Sequence, residues 1–207
     1  MIPEHTASAL DALDPELAAR LRFALEIDSL KSVLRRNSIT DGSRRENSGE
    51  HSWHLALMAI VLAPHAGAPV DVGRVVEMLL VHDLVEIDAG DTFVYDAAAR
   101  EQQEEVERLA ADRLFGLIPG DDGARLRAAW DEFEAAATPE ARFAHSVDRI
   151  APLLLNHANH GELWADYGIT AERVRAYNAH IADGAPDLWT AAQVLIADAD
   201  ENGWFAE

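Results

Sequence analysis

Residues 75–87 read "VVEMLLVHDLVEI", with apolar side chains on nearly every face of the helix they would form. A helix of that kind is packed on most of its sides, so it needs other helices around it. The rest of the chain supplies them: apolar residues recur three and four apart over long windows and alternating β-branched runs are absent, which makes the fold class all-α. The spacing predicts helices over roughly 15–36, 51–66, 71–88, 97–117, 121–136, 139–165, 170–182 and 187–200. Their main polar connections are "TDGSRRENSG" and "DAGDTFVYD". At "ATPEARF", Thr138 is expected as N-cap, Pro139 at the first helical position and Glu140 in the first turn. A length of 207 residues, 49% of them hydrophobic, suits one domain over 1–207, a single helical bundle with a substantial core.

Charge and composition exclude several functions. The formal net charge of −20 repels a polyanion, so no nucleic-acid polymer is expected as partner. The chain has no cysteine, which removes disulfides, thiolate zinc sites and cysteine nucleophiles and leaves histidine and carboxylate as the ligands for any metal. No run approaches the roughly 18–20 uncharged apolar residues of a membrane span, and "MIPEHTASALDALDPELAARL" has neither the basic nor the apolar region of a signal peptide. A soluble, cytoplasmic protein without a membrane partner is expected.

Three sets of polar residues stand where an apolar core is expected. His82, Asp83 and Glu86 interrupt the buried stretch 75–87, and burying an ionised carboxylate without a partner costs several kcal/mol. One cation between His82 and Asp83 would satisfy both, as would a buried hydrogen bond. Asp148 is the single acid on the face Ala141, Ala144, Ala151 and Leu155 of "ARFAHSVDRIAPLLL", where Arg142 or Arg149 could pair with it or a metal could take it up. His51 precedes Leu55 by four positions, on the core side of the helix that continues through Met58, Ala59 and Leu62. His54 is a second candidate there.

Positive charge is concentrated just before His51. Lys31, Arg35, Arg36, Arg44 and Arg45 place five of the seventeen basic residues in a stretch whose only acid is Asp41. The cluster is either a solvated face or the means by which an acidic protein admits a small anion.

The order His51, His82-Asp83, Asp148 resembles the H…HD…D signature of the HD-domain metal-dependent phosphohydrolases. The segments "RRENSGEHS", "VHDLVEIDAGD" and "FAHSVDRI" are similar to those of the HD-domain 5′-deoxynucleotidases and their bacterial relatives. The resemblance covers roughly residues 20–160, with the helices of 161–207 packing on that part. It implies a helical bundle of the HD-domain type in which His51, His82, Asp83 and Asp148 bind one divalent ion. Two histidines and two carboxylates suit manganese, cobalt, iron or zinc. It further implies that Glu86 and Asp91 lie near the scissile phosphate and the sugar and that Arg36 contacts the phosphate, with Arg44 as a second arginine for it. Asn37 follows Arg36 where the bacterial nucleotidases compared carry a tryptophan, and "TFVYD" follows "AGD" where proline-containing text is usual. The expected reaction is hydrolysis of a small phosphorylated substrate, a nucleoside 5′-monophosphate, by a homodimeric enzyme.

Two other functions share this signature. A two-metal oxygenase would need further ligands, for which His54, His145, His157 and His160 are available. A non-catalytic nucleotide-binding module would have no use for the acids Glu86 and Asp91. Toward the end of the chain, Trp164 and Trp189 are expected in the core. "ENGWFAE" is expected to dock on the body or on a partner subunit, because an aromatic pair at a chain end would otherwise fray.

Overall fold

The computed structural model describes residues 2–91 and 97–206; the segment "TFVYD" lies outside the described residues. Two helices, α1 (Glu4–Leu10) and α2 (Pro15–Ile27), lead into a 3-10 turn at Asp28–Ser32 and a two-stranded hairpin, β1 (Leu34–Ser38) and β2 (Arg45–Asn47). There follow α3 (Ser48–Leu62), α4 (Val72–Val81), a 3-10 turn at His82–Val85, α5 (Glu86–Ala89), α6 (Ala97–Phe115), α7 (Asp121–Ala135) and α8 (Pro139–Ala158). The remaining helices are α9 (Glu162–Asp166), α10 (Ala171–Asn178), α11 (Ile181–Gly184) and α12 (Pro186–Glu201). The all-α expectation therefore holds, with the hairpin as its one addition among the described residues.

The hairpin replaces the last turns of the helix predicted over 15–36 and much of the loop after it. It is antiparallel, pairs Leu34 with Asn47 and Ser38 with Arg45, and carries an irregularity between those pairs. Strands of five and three residues are too short to show a period of two against the surrounding helical spacing. The extended backbone has a consequence for the site, because it sends successive side chains to opposite faces. Arg35 and Asn37 turn inward while Leu34 and Arg36 turn outward.

α3 begins three residues before the predicted start. Asn47 caps it by accepting from the Glu50 amide at 3.0 Å, while Glu50 accepts from the Asn47 amide at 2.8 Å. This reciprocal pair satisfies two amides that have no partner within the helix, and it holds the hairpin against the helix that carries His51. The helix predicted over 71–88 is also divided. α4 gives way at His82 to a 3-10 turn, whose three residues per turn align Asp83 with Glu86.

α8 is the central helix and packs against α3, α4, α7, α11 and α12. Phe143, Ala144, Val147 and Ala151 have no exposed surface. The helix stops short of the predicted 165 because His160 and Gly161 take φ of 53° and 70°, and α9 starts anew after them. One apolar core runs from Leu30 to Ala199, with Trp164 buried in it and Trp189, Trp204 and Phe205 packed against it. The terminal aromatic pair thus docks on the body of its own chain, Phe205 stacking on Trp164 at 4.6 Å between ring centroids. Among the described residues no helix is long and apolar enough to cross a membrane.

The contact of α8 with α11 is close enough to test. A Cβ added to Gly184 would lie 2.1 Å from the Arg142 carbonyl oxygen and 2.6 Å from the Phe143 nitrogen. Gly184→Ala is expected to destabilise the protein by about 2 kcal/mol, a fall in Tm of roughly 4–8 °C in thermal denaturation.

Candidate metal centre

Three elements meet at one point in the interior: the start of α3, the 3-10 turn after α4, and the middle of α8. They bring together His51, His82, Asp83 and Asp148, all buried. One ring nitrogen from each histidine and one oxygen from Asp83 lie within 4.8 Å of one another. Asp148 Oδ1 lies 3.1 Å from His51 Nε2 and 3.8 Å from His82 Nε2. The four residues named from the sequence are therefore neighbours, although 97 positions separate His51 from Asp148 along the chain.

Both imidazoles are held in the same sense. His51 Nδ1 donates to Glu46 Oε2 at 3.1 Å, and His82 Nδ1 donates to the Leu79 carbonyl at 2.9 Å. Each ring therefore turns its Nε2 to the cluster. Such an outer acceptor fixes the tautomer and orientation of a ligating histidine and raises its basicity. His82 Nε2 is 3.0 Å from Asp83 Oδ1 but has no hydrogen-bond partner, a buried nitrogen left unsatisfied at the centre of the group. That orphaned nitrogen and a donor set of two imidazoles and two carboxylates fit a divalent ion of the manganese, cobalt, iron or zinc type.

Two arginines reach this cluster: Arg149, with its Nε 3.7 Å from Asp148 Oδ2, and Arg35. Arg35 Nη1 donates to Asp83 Oδ2 at 3.0 Å and lies 3.9 Å from Asp91 Oδ1, while its Nε lies 3.7 Å from Glu46 Oε2. Arg36, one residue on, faces the other way and donates to the Tyr167 hydroxyl at 2.9 Å. Arg44 is further removed: it forms a two-pronged pair with Glu50 at 2.5 and 2.9 Å on the surface, bracing the cap of α3. Glu86 is buried beside the cluster and accepts from the Ser48 hydroxyl at 2.6 Å. Glu46 and Ser48, to which the sequence had given no role, thus complete the site together with Arg35, which the sequence had placed only within the basic cluster. Glu46 lies in a polar run, and its burial, which marks it out, belongs to the tertiary structure.

Burial and crowding shift the charges here. Burial is the main reason that Glu86 is held well above the usual carboxylate range, with the neighbouring charge of Asp83 adding to it and Arg35 opposing it. Asp91 is raised by burial too, against the pull of Arg35. Asp148 goes the other way: burial would raise it, but the hydrogen bond from His51 and the closeness of the His82 ring and Arg149 hold it well below the ordinary value. For His82, burial favours the neutral ring, yet the charges of Asp83 and Asp148 outweigh it and lift the group to about 9.

The cluster forms part of the wall of a cavity of about 660 Å³ that also reaches Glu86, Asp91, Glu107 and Glu134. A smaller cavity of about 60 Å³ adjoins it and shares Arg35, Asp91, Asp148, Arg149 and Tyr177. Arg36 lines only the smaller one, and Arg44 lines neither. Of the other histidines, His145 stands on the wall of the larger cavity with its Nε2 donating to the Phe133 carbonyl. His157 pairs with Asp198, and both His157 and His160 pack on Trp204. His54 packs against Trp53.

Comparison with known proteins agrees with this geometry. A family model described as HD domain matches residues 27–189, so the chain belongs to the HD-domain family. The crystal structure of a predicted metal-dependent phosphohydrolase from Magnetospirillum magnetotacticum MS-1 superposes with a TM-score of 0.88 at 46% identity, covering 100% of both chains. The 5′-deoxynucleotidases HDDC2 of Bos taurus and Homo sapiens are 29% and 28% identical over 135 residues, which is 65% of this chain. The match spans 64% and 65% of the length of those two relatives.

The raised His82 gives a direct test. In the metal-free protein its proton contributes stability that is fully present below the unfolded value of about 6.5 and is lost as pH rises through about 9. An ion bound at Nε2 must displace that proton. Calorimetric titration of zinc or manganese at pH 7.5, in buffers of different ionisation heat, is expected to show release of about one proton per ion from this ring, and apparent affinity should rise with pH toward 9.

Proposed function

We propose that the protein hydrolyses a phosphomonoester of the nucleoside 5′-monophosphate class, using one divalent ion held by His51, His82, Asp83 and Asp148. The observation that carries this reading is the unsatisfied His82 Nε2 at the meeting point of four ligating side chains, on the wall of a cavity that also holds Glu86 and Asp91. The description of the protein that is 46% identical supports the metal-dependent phosphohydrolase. The names of the animal relatives support the nucleotide.

An ion in this position would polarise a phosphate oxygen and lower the pKa of an attacking water. The chain's own residues do the rest. Water adds its oxygen to phosphorus, the bond from phosphorus to the alcohol oxygen breaks, and the alcohol leaves with a proton. Glu86, raised by burial and by Asp83, is the acid placed to deliver a proton to the leaving oxygen. Asp91, which lines both cavities, orients the water or the leaving group. Arg35 and Arg149 also line both cavities and balance the phosphate charge. Arg36 contributes from the smaller cavity. Arg44, committed to Glu50, acts by bracing α3.

The homodimer expected from the family resemblance has a surface to match. Trp53, Leu57, Ile60 and Val61 are exposed on one face of α3, and residues 51–70 contain no Asp, Glu, Lys or Arg. In a chain of net charge −20, that neutral face is where two copies meet with least repulsion. Trp53→Asp is expected to give a monomer by light scattering where the parent protein is a dimer. A monomeric parent protein would remove the homodimer.

The activity is tested by phosphate release from ribo- and deoxyribonucleoside monophosphates, using metal-stripped protein resupplied with manganese, cobalt, zinc or magnesium. Release is expected only with metal present. Asp83→Ala and His82→Ala are each expected to lose bound metal and at least about a thousandfold in turnover. Undiminished turnover in metal-free His82→Ala protein would overturn the reading.

A further inference from the structure

At 3% exposure, Glu46 is the most deeply buried acid among the described residues, yet it lines neither cavity and stands outside the group of four ligating side chains. It is the middle residue of the three-residue strand β2, turned inward between an exposed Arg45 and a half-buried Asn47. A carboxylate in such a place is unfavourable unless a partner compensates for the lost water. Two groups come near it. His51 Nδ1 donates to Oε2 at 3.1 Å, and Arg35 Nε lies 3.7 Å from the same oxygen.

The two partners are not equal. Arg35 Nε is among the buried atoms without a hydrogen bond, and the guanidinium makes its closer contact with Asp83. Among the described residues, the one hydrogen bond of the Glu46 side chain is with His51. The carboxylate is therefore committed to an imidazole that has no exposed surface of its own.

Comparison of the two imidazoles shows what this adds. His82 Nδ1 donates to the Leu79 carbonyl, a neutral acceptor three residues earlier in the chain. Such an acceptor fixes the ring and its tautomer and brings no net charge. His51 has a carboxylate in the same role, and a hydrogen bond to an ionised acceptor is the stronger kind. The negative charge behind the ring increases electron density at Nε2, the nitrogen turned toward Asp148. A cation at the cluster would thus meet two carboxylates directly and feel a third through His51.

We propose that Glu46 is a positioning residue of the metal centre: its carboxylate holds His51 with Nε2 toward the ion and, by its charge, makes His51 the stronger donor of the two imidazoles. Affinity for a divalent cation then depends on a side chain that does not touch it. The inference rests on the metal centre in the reading above and is independent of the substrate. It also gives the hairpin a purpose in an otherwise helical protein, since β2 carries Glu46 to His51 while β1 carries Arg35 to Asp83.

Two variants separate charge from geometry. Glu46→Gln keeps the size of the side chain and an oxygen to accept from Nδ1, and removes only the charge. Glu46→Leu removes the acceptor as well. Metal-stripped proteins are titrated with manganese in a calorimeter and with zinc against a chromophoric chelator, neither of which needs turnover. Glu46→Gln is expected to bind both ions about tenfold more weakly than the parent protein, and Glu46→Leu about a hundredfold. In proton NMR of the metal-free protein, the His51 Nδ1–H resonance should move upfield in Glu46→Gln, a change that a packing role would not produce. Should Glu46→Leu fail to fold, Glu46→Gln decides alone. Affinity in Glu46→Gln within about twofold of the parent's would overturn the role of Glu46 and leave the metal centre standing. A parent protein that binds neither ion would end both.

Discussion

Arg35 sits among the carboxylates of Asp83, Glu46 and Asp91, with nitrogen-to-oxygen distances of 3.0, 3.7 and 3.9 Å. Glu86 and Asp148 are buried in the same group, so five acids face the Arg35 guanidinium and that of Arg149, whose Nε lies 3.7 Å from Asp148 Oδ2. Such a density of negative charge in a protein interior is unfavourable unless it is neutralised by protons, cations or both. In the metal-free protein this crowding shifts Glu86 and Asp91 upward and lifts His82 to about 9, each in the direction that favours the protonated form. A divalent ion would take over part of that role. Local stability, proton inventory and chemical readiness of the site are in this sense one property.

The irregular parts of the fold serve this charge cluster. A continuous helix through residues 72–89 would carry His82 and Asp83 at the usual 100° spacing; the 3-10 turn tightens it and aligns Asp83 with Glu86. The hairpin directs Arg35 inward in place of its neighbour. The capping box at Asn47 and Glu50, reinforced by Arg44, fixes the first turn of α3, from which Ser48 reaches Glu86 and His51 reaches Asp148. Each of these features would read as a minor departure from ideal geometry if taken alone. Together they hold side chains from distant parts of the chain to within hydrogen-bonding distance.

The large and small cavities differ in the chemistry of their walls. The larger is polar and acidic around the metal centre, and the smaller combines apolar surface with three buried amides. Arg149 and Tyr177 belong to both, and their stacking gives the boundary a fixed shape.

How much of this was legible in the sequence depended on distance along the chain. Helical periodicity determined the all-α class, because burial of an apolar stripe is a local demand that each helix states for itself. His82, Asp83 and Asp148 were visible because an acid on an apolar face conflicts with its own surroundings, and His51 because it begins the core-facing side of α3. Helix ends and the hairpin were less legible, since strands of three and five residues and the positive φ at His160 leave no periodic trace. Whether Arg35 or Arg36 faced the cluster turned on strand or helix at that point, and a run of basic residues looks the same in either. The support of His51 by Glu46 and the meeting of Asn37, Asn156 and Asn178 were decided by tertiary structure alone. Polar partners bring no local conflict to mark them, and the hydrogen bonds that give them meaning join elements up to 115 positions apart.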